Sequence, residues 1–127
     1  MRIAVSADGQ RLESQISPVF GRCPFFIVVE TEDDEIVERE VLENSAMEQP
    51  SGAGTAAVQL VGDKDVDVVI SGGIGPKAFS ALKQWKIKAF KGEPGPVRYN
   101  LDKFLEGELE EVESATGSPG MGRADRK

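Results

Sequence analysis

The stretch Val66-Asp67-Val68-Val69-Ile70-Ser71-Gly72-Gly73-Ile74-Gly75-Pro76-Lys77 constrains the fold more than any other. Its nearly continuous apolar run, Val66, Val68, Val69 and Ile70, has the pattern of a strand buried on both faces of a sheet. Pro76 sits where a helix would start, a position that tolerates its missing N–H. A strand, a glycine-rich turn and a helix in immediate succession form half of a parallel crossover unit. That unit requires an α/β architecture with helices packed on a sheet.

The flanking segments extend this pattern. Ile3, Val5 and Ala7 alternate with Arg2, Ala4 and Ser6, so residues 2–7 read as a strand ended by Asp8-Gly9. Residues 8–23 form a long loop, and Pro24 opens a β-branched and aromatic strand over 25–31. A polar turn, Glu32-Asp33-Asp34-Glu35, leads to a more polar strand over 36–42, an antiparallel hairpin with its second strand near an edge. Ala53, Ala57, Leu60 and Val61 line one face of a helix over 54–62, with Ser51 or Thr55 as its expected cap. Ala78, Leu82 and Trp85 mark a second helix from Pro76, and Ile87 to Phe90 a short strand. Val97, Leu101, Phe104 and Leu105 mark a third helix, with Glu108 to Glu113 as a short extended segment. The order is β-β-β-α-β-α-β-α, a mixed five-stranded sheet with its first strand central and helices on its faces. In such sheets ligands gather beyond the carboxyl ends of the parallel strands. The domain spans 1–113. Residues 114–127, rich in Ser, Gly, Pro and charge, read as a flexible tail.

Composition narrows the chemistry. A chain of 127 residues suits one domain. No apolar run approaches the roughly 20 residues that cross a bilayer, and no signal peptide precedes the first strand, so a cytoplasmic protein is expected. A net charge of −7 argues against nonspecific nucleic-acid binding. There is no histidine, which removes the commonest metal ligand and every Cys-His or Ser-His pair.

Three segments carry candidate site residues. Phe20-Gly21-Arg22-Cys23-Pro24 holds the single cysteine. As a thiolate Cys23 would be a soft metal ligand, and Arg22 beside it would lower the thiol pKa. The competing reading is a small buried hydrophobe at a strand mouth. Ser51-Gly52-Ala53-Gly54 and Gly72-Gly73-Ile74-Gly75 each open a helix, where backbone N–H groups cradle anions; tight turns and close packing are the alternative. The site expected from these segments comprises Arg22, Cys23, Ser51, Gly52, Gly54, Gly72, Gly73 and Gly75, with Cys23 as metal ligand. Asp8 raises a nuclease alternative, but the convergent carboxylates of two-metal catalysis are missing.

Taken together, Arg2-Ile3-Ala4-Val5-Ser6, Phe20-Gly21-Arg22-Cys23-Pro24-Phe25-Phe26, Gly52-Ala53-Gly54 and Val66 to Phe79 resemble the dinitrogenase iron-molybdenum cofactor biosynthesis family. That family includes the NifX-like, NafY-like and NifB carboxy-terminal domains. The resemblance covers residues 1 to about 110. It implies a ribonuclease H-like three-layer α/β fold and a non-catalytic carrier of iron-molybdenum cofactor or another metal–sulfur cluster. Donor and acceptor proteins for the cluster would be its partners, with no nucleic acid and no membrane, and the protein would be a monomer or homodimer. Many members have a histidine immediately before Gly-Ala-Gly, where this chain has Ser51, so Cys23 is the one soft ligand that carries over. A protein-interaction or regulatory module of the same fold, without metal, is the alternative.

Overall fold

A computed structural model of the chain describes residues 1–114. The elements run β1 (Arg2–Ala7), β2 (Phe25–Glu32), β3 (Glu35–Glu43), α1 (Ala53–Gly62), β4 (Val68–Ser71), α2 (Pro76–Gln84), β5 (Lys88–Lys91), α3 (Val97–Leu105) and β6 (Glu110–Glu111). They form one mixed sheet in the order β3-β2-β1-β4-β5-β6. Central β1 pairs parallel with β4 (Ile3 opposite Val68, Val5 opposite Ile70) and antiparallel with β2. β5 continues the parallel half.

The sheet has six strands, not five. β6 pairs antiparallel with β5 through Phe90–Glu111 and Lys91–Glu110. Its two exposed glutamates carry no strand-forming pattern. The open edge of β5 recruits them, so the pairing is tertiary in origin. The flexible tail expected over 114–127 lies outside the described residues, apart from Ser114.

The alternation along β1 sorts the core into two layers. Ala4, Phe26, Val28 and Val69 face α1 and α2 through Ala57, Val58, Val61, Ala78 and Leu82. Ile3, Val5, Ile27, Val29, Val68 and Ile70 face α3 through Val97 and Leu101, joined by Leu12 and Ile16 from the long loop. Helices thus cover both sheet faces, the three-layer α/β arrangement expected from the element order. Each fully buried aliphatic side chain, such as Leu82 or Leu101, contributes about 1.5–3 kcal/mol relative to exposure. Among the described residues no helix is long and apolar enough to cross a membrane.

The 8–23 loop is fastened to the carboxyl ends of β1 and β4. Buried Ser6 Oγ lies 3.1 Å from the Ser17 carbonyl oxygen and 2.9 Å from Ser71 Oγ. The Gly72 N–H donates to the Ser17 carbonyl and the Phe20 N–H to the Gly73 carbonyl. Loop and turn meet along their backbones, so a Cβ at Gly72 or Gly73 would come within 2.8 Å of Pro18 backbone atoms.

Candidate functional site

The fastened loop brings the Gly21–Arg22 turn over the starts of α1 and α2. A cleft of about 380 Å³ opens there, lined by Val19, Gly21, Arg22, Gly52, Ala53, Gly54, Gly75, Pro76, Lys77 and Ala78. The two helix starts are packed together: a Cβ at Gly54 would lie 3.1 Å from that of Ala78. Gly21 closes down on α1, where its own Cβ would sit 2.9 Å from both Cα and N of Gly54. Only a residue without a side chain permits that approach.

Neither helix start has a side-chain cap. The N-cap of α1 is Gly52, at φ 78°, a left-handed conformation natural to glycine. The expected caps Ser51 and Thr55 do not serve, because the chain enters the helix through this turn. Among the described residues, the amides of Ala53, Gly54 and Thr55 in α1, and of Lys77 and Ala78 in α2, donate to no protein acceptor. The first intrahelical bonds begin only at Ala56 and Phe79. Neither first turn contains an acidic residue. Two positive helix-dipole ends therefore meet at one cleft.

Arg22 and Lys77, both exposed, add formal charge. Neither pairs with a carboxylate among the described residues, although eight ion pairs form elsewhere. Arg22 Nη1 instead donates to the carbonyls of Met47 and Gln49, each at 2.7 Å. In a chain of net charge −7, these two cations, without counter-ions among the described residues, and the unpaired amides beside them make the cleft locally positive.

Cys23 lies elsewhere. Its side chain is wholly buried, in the core layer with Phe20, Phe26 and Ala57. Its Sγ donates to the Phe20 carbonyl at 3.3 Å and has Asn44 Nδ2 at 3.9 Å. Burial pushes the thiol up to about 12, opposite to the lowering expected from Arg22. The strand entry turns this side chain inward and Arg22 outward, so neighbours in sequence occupy different environments. Of the eight expected site residues, Arg22, Gly52, Gly54 and Gly75 line the cleft. Ser51, Gly72 and Gly73 do not; the two glycines are taken up by packing on Pro18. Lys77, Gly21 and Val19 enter unforeseen. Lys77 was signalled by its place in the first turn after a strand-to-helix loop. Among the described residues no group of three or more His, Cys, Asp or Glu could hold a metal ion. A larger groove of about 590 Å³ lies along Phe79, Lys83, Lys86, Lys88, Glu111 and Glu113. It carries three lysines and two glutamates, and it includes neither helix start.

Residues 1–107 match the family described as "Dinitrogenase iron-molybdenum cofactor". The chain belongs to this family. It is 40% identical over 113 residues to an uncharacterised protein of Methanocaldococcus jannaschii, covering 89% of this chain and 92% of the relative. The apo form of the orange protein from Desulfovibrio gigas superposes with a TM-score of 0.85 at 32% identity, covering 91% of this chain and 95% of that one. A putative NifB protein from Thermotoga gives a TM-score of 0.79 at 35% identity, covering 91% and 96%. The family is associated with cofactor assembly and carriage.

Proposed function

We propose that this protein carries an anionic metal–sulfur cluster, of the iron-molybdenum cofactor type or a related mixed-metal sulfide, and holds it without a thiolate bond. The observation that carries this reading is the pair of uncapped helix starts flanked by Arg22 and Lys77, two cations without carboxylate partners among the described residues. The donor set fits such a cargo. Amides, a guanidinium and an ammonium all donate hydrogen bonds, which suits the sulfides of a charged cluster. The aliphatic surfaces of Val19, Ala53, Pro76 and Ala78 suit a large, weakly hydrated anion. Family membership, and a structural relative solved as an apo form, support the same reading. Cys23 has a structural role here: it closes the turn that presents Arg22. The cluster arrives from one protein and leaves to another in the cytoplasm, and the chain itself catalyses no reaction.

Anaerobic titration with tetrathiomolybdate, followed by visible absorption and calorimetry, tests this. Saturable binding is expected, retained in Cys23→Ala and weakened at least about tenfold in an Arg22→Ala/Lys77→Ala double variant, since each charge-assisted contact contributes about 1.5–3 kcal/mol. Absence of saturable binding, or binding abolished by Cys23→Ala and unaffected by the double variant, overturns the reading.

A further inference from the structure

Asn44 lies just past the end of β3, is 2% exposed and is fully engaged. Its Nδ2 donates to the Cys23 carbonyl at 2.8 Å and the Gly21 carbonyl at 3.2 Å, on either side of Arg22. Its Oδ1 accepts the Ala46 N–H at 3.1 Å, and its backbone carbonyl accepts the Met47 N–H at 3.2 Å. One side chain thus grips both the turn that carries Arg22 and the loop whose Met47 and Gln49 carbonyls receive the Arg22 guanidinium. The Asn44 N–H also donates to the Pro24 carbonyl, which anchors the residue to the start of β2. No neighbour of Asn44 in this network is ionised, so its effect on the cleft is geometric.

We infer that Asn44 is the positioning residue of the anion site: it sets the separation between the Gly21–Cys23 turn and the 46–49 loop, and so aims the Arg22 guanidinium into the cleft. This inference rests on the anion-site reading above. A flexible arginine loses rotamer freedom on binding a ligand. Here Asn44 and the two carbonyls hold it in place before any ligand arrives, so less ordering remains when the anion binds.

A double-mutant cycle separates this role from a general effect on folding. Tetrathiomolybdate affinity and thermal midpoint are measured for the wild-type chain, Arg22→Ala, Asn44→Ala and the double variant. Asn44→Ala is expected to weaken binding about three- to tenfold, equivalent to about 0.65–1.4 kcal/mol. In the Arg22→Ala background the same change is expected to cause no further loss of affinity, whatever it does to the midpoint. In the wild-type chain, ligand addition is expected to shift the Asn44 side-chain amide resonances by NMR, and the shift is expected to vanish in Arg22→Ala. That second readout stands even if Asn44→Ala does not fold. Unchanged affinity in Arg22→Ala overturns the site itself. Weakened affinity in Arg22→Ala with wild-type affinity in Asn44→Ala, an equal loss from Asn44→Ala in both backgrounds, or an unshifted Asn44 amide overturns the positioning role alone.

Discussion

The three helices of the described residues start in two different ways. At α3, the Val97 N–H donates to the Ser14 carbonyl and the Arg98 N–H to the Leu12 carbonyl, at 2.8 and 2.9 Å. The long loop lies across that helix start and closes it with its own backbone. At α1 and α2 the same loop passes nearby, through Gly21 and Arg22, yet supplies no acceptor to the first-turn amides. The closed start has a carbonyl at each of its first two positions. The open pair has a guanidinium and an ammonium beside it. The chain can therefore satisfy a helix terminus from this loop, and where it does not, it places positive charge. Unpaired donors at two adjoining termini are a liability for stability and an asset for holding an anion.

Three changes break or sharpen this contrast. The largest concerns the sulfur behind the open pair. With the folded Cys23 thiol at about 12 against an ordinary value of 9.0, the neutral thiol's contribution is complete below pH 9. Above that the unfolded chain ionises first, and stability is lost as pH rises toward 12. The unfolding free energy from denaturant titrations should fall by up to about 1.4 kcal/mol per pH unit in that window relative to Cys23→Ala, which isolates the thiol from other groups. Parallel curves for the two proteins would mean that the folded thiol ionises as readily as the unfolded one, against its burial in the core. Next is Gly21→Ala, whose new methyl must displace the backbone of Gly54. Chemical denaturation should show a loss of about 1–3 kcal/mol, with anion binding lost as well, because the turn lifts off α1. The smallest change in stability comes from Gly75→Asp. Gly75 has φ −73° and open space where a side chain would go. A carboxylate there would cap α2 from its own chain. Melting should show a gain of about 0.5–1 kcal/mol while tetrathiomolybdate binding falls at least about tenfold. A gain in both would mean that α2's start takes no part in holding the anion.

Much of this architecture was legible from periodicity. The apolar runs of β1, β2 and β4, and the i, i+4 faces of α1 and α2, appear where their side-chain patterns put them. The short extended segment expected over Glu108 to Glu113 holds β6, but its place as a sixth strand was not legible, because Glu110 and Glu111 pair with β5 by proximity to an open edge and not by propensity. At the site, the glycine loops announced close backbone approach, but not what would approach. For Gly72 and Gly73 it is Pro18, and for Gly54 it is Gly21 and Ala78, whereas Gly75 faces open space at the cleft. The direction of Cys23 was hidden for a similar reason. A residue at a strand entry points to either face, and only the packing of Phe20 and Phe26 against the helices decides which. Asn44 gave no local signal, since its partners lie 21 and 23 residues away in sequence.

The Arg22 guanidinium rests on neutral oxygens. Among the described residues no carboxylate lies on it, so on the proposed reading an incoming cargo evicts no resident partner and a departing one leaves no orphaned charge pair to rebuild. Loading and unloading would then involve no making or breaking of a metal–protein linkage, and a recipient with stronger ligands of its own would take delivery by outcompeting a set of hydrogen bonds.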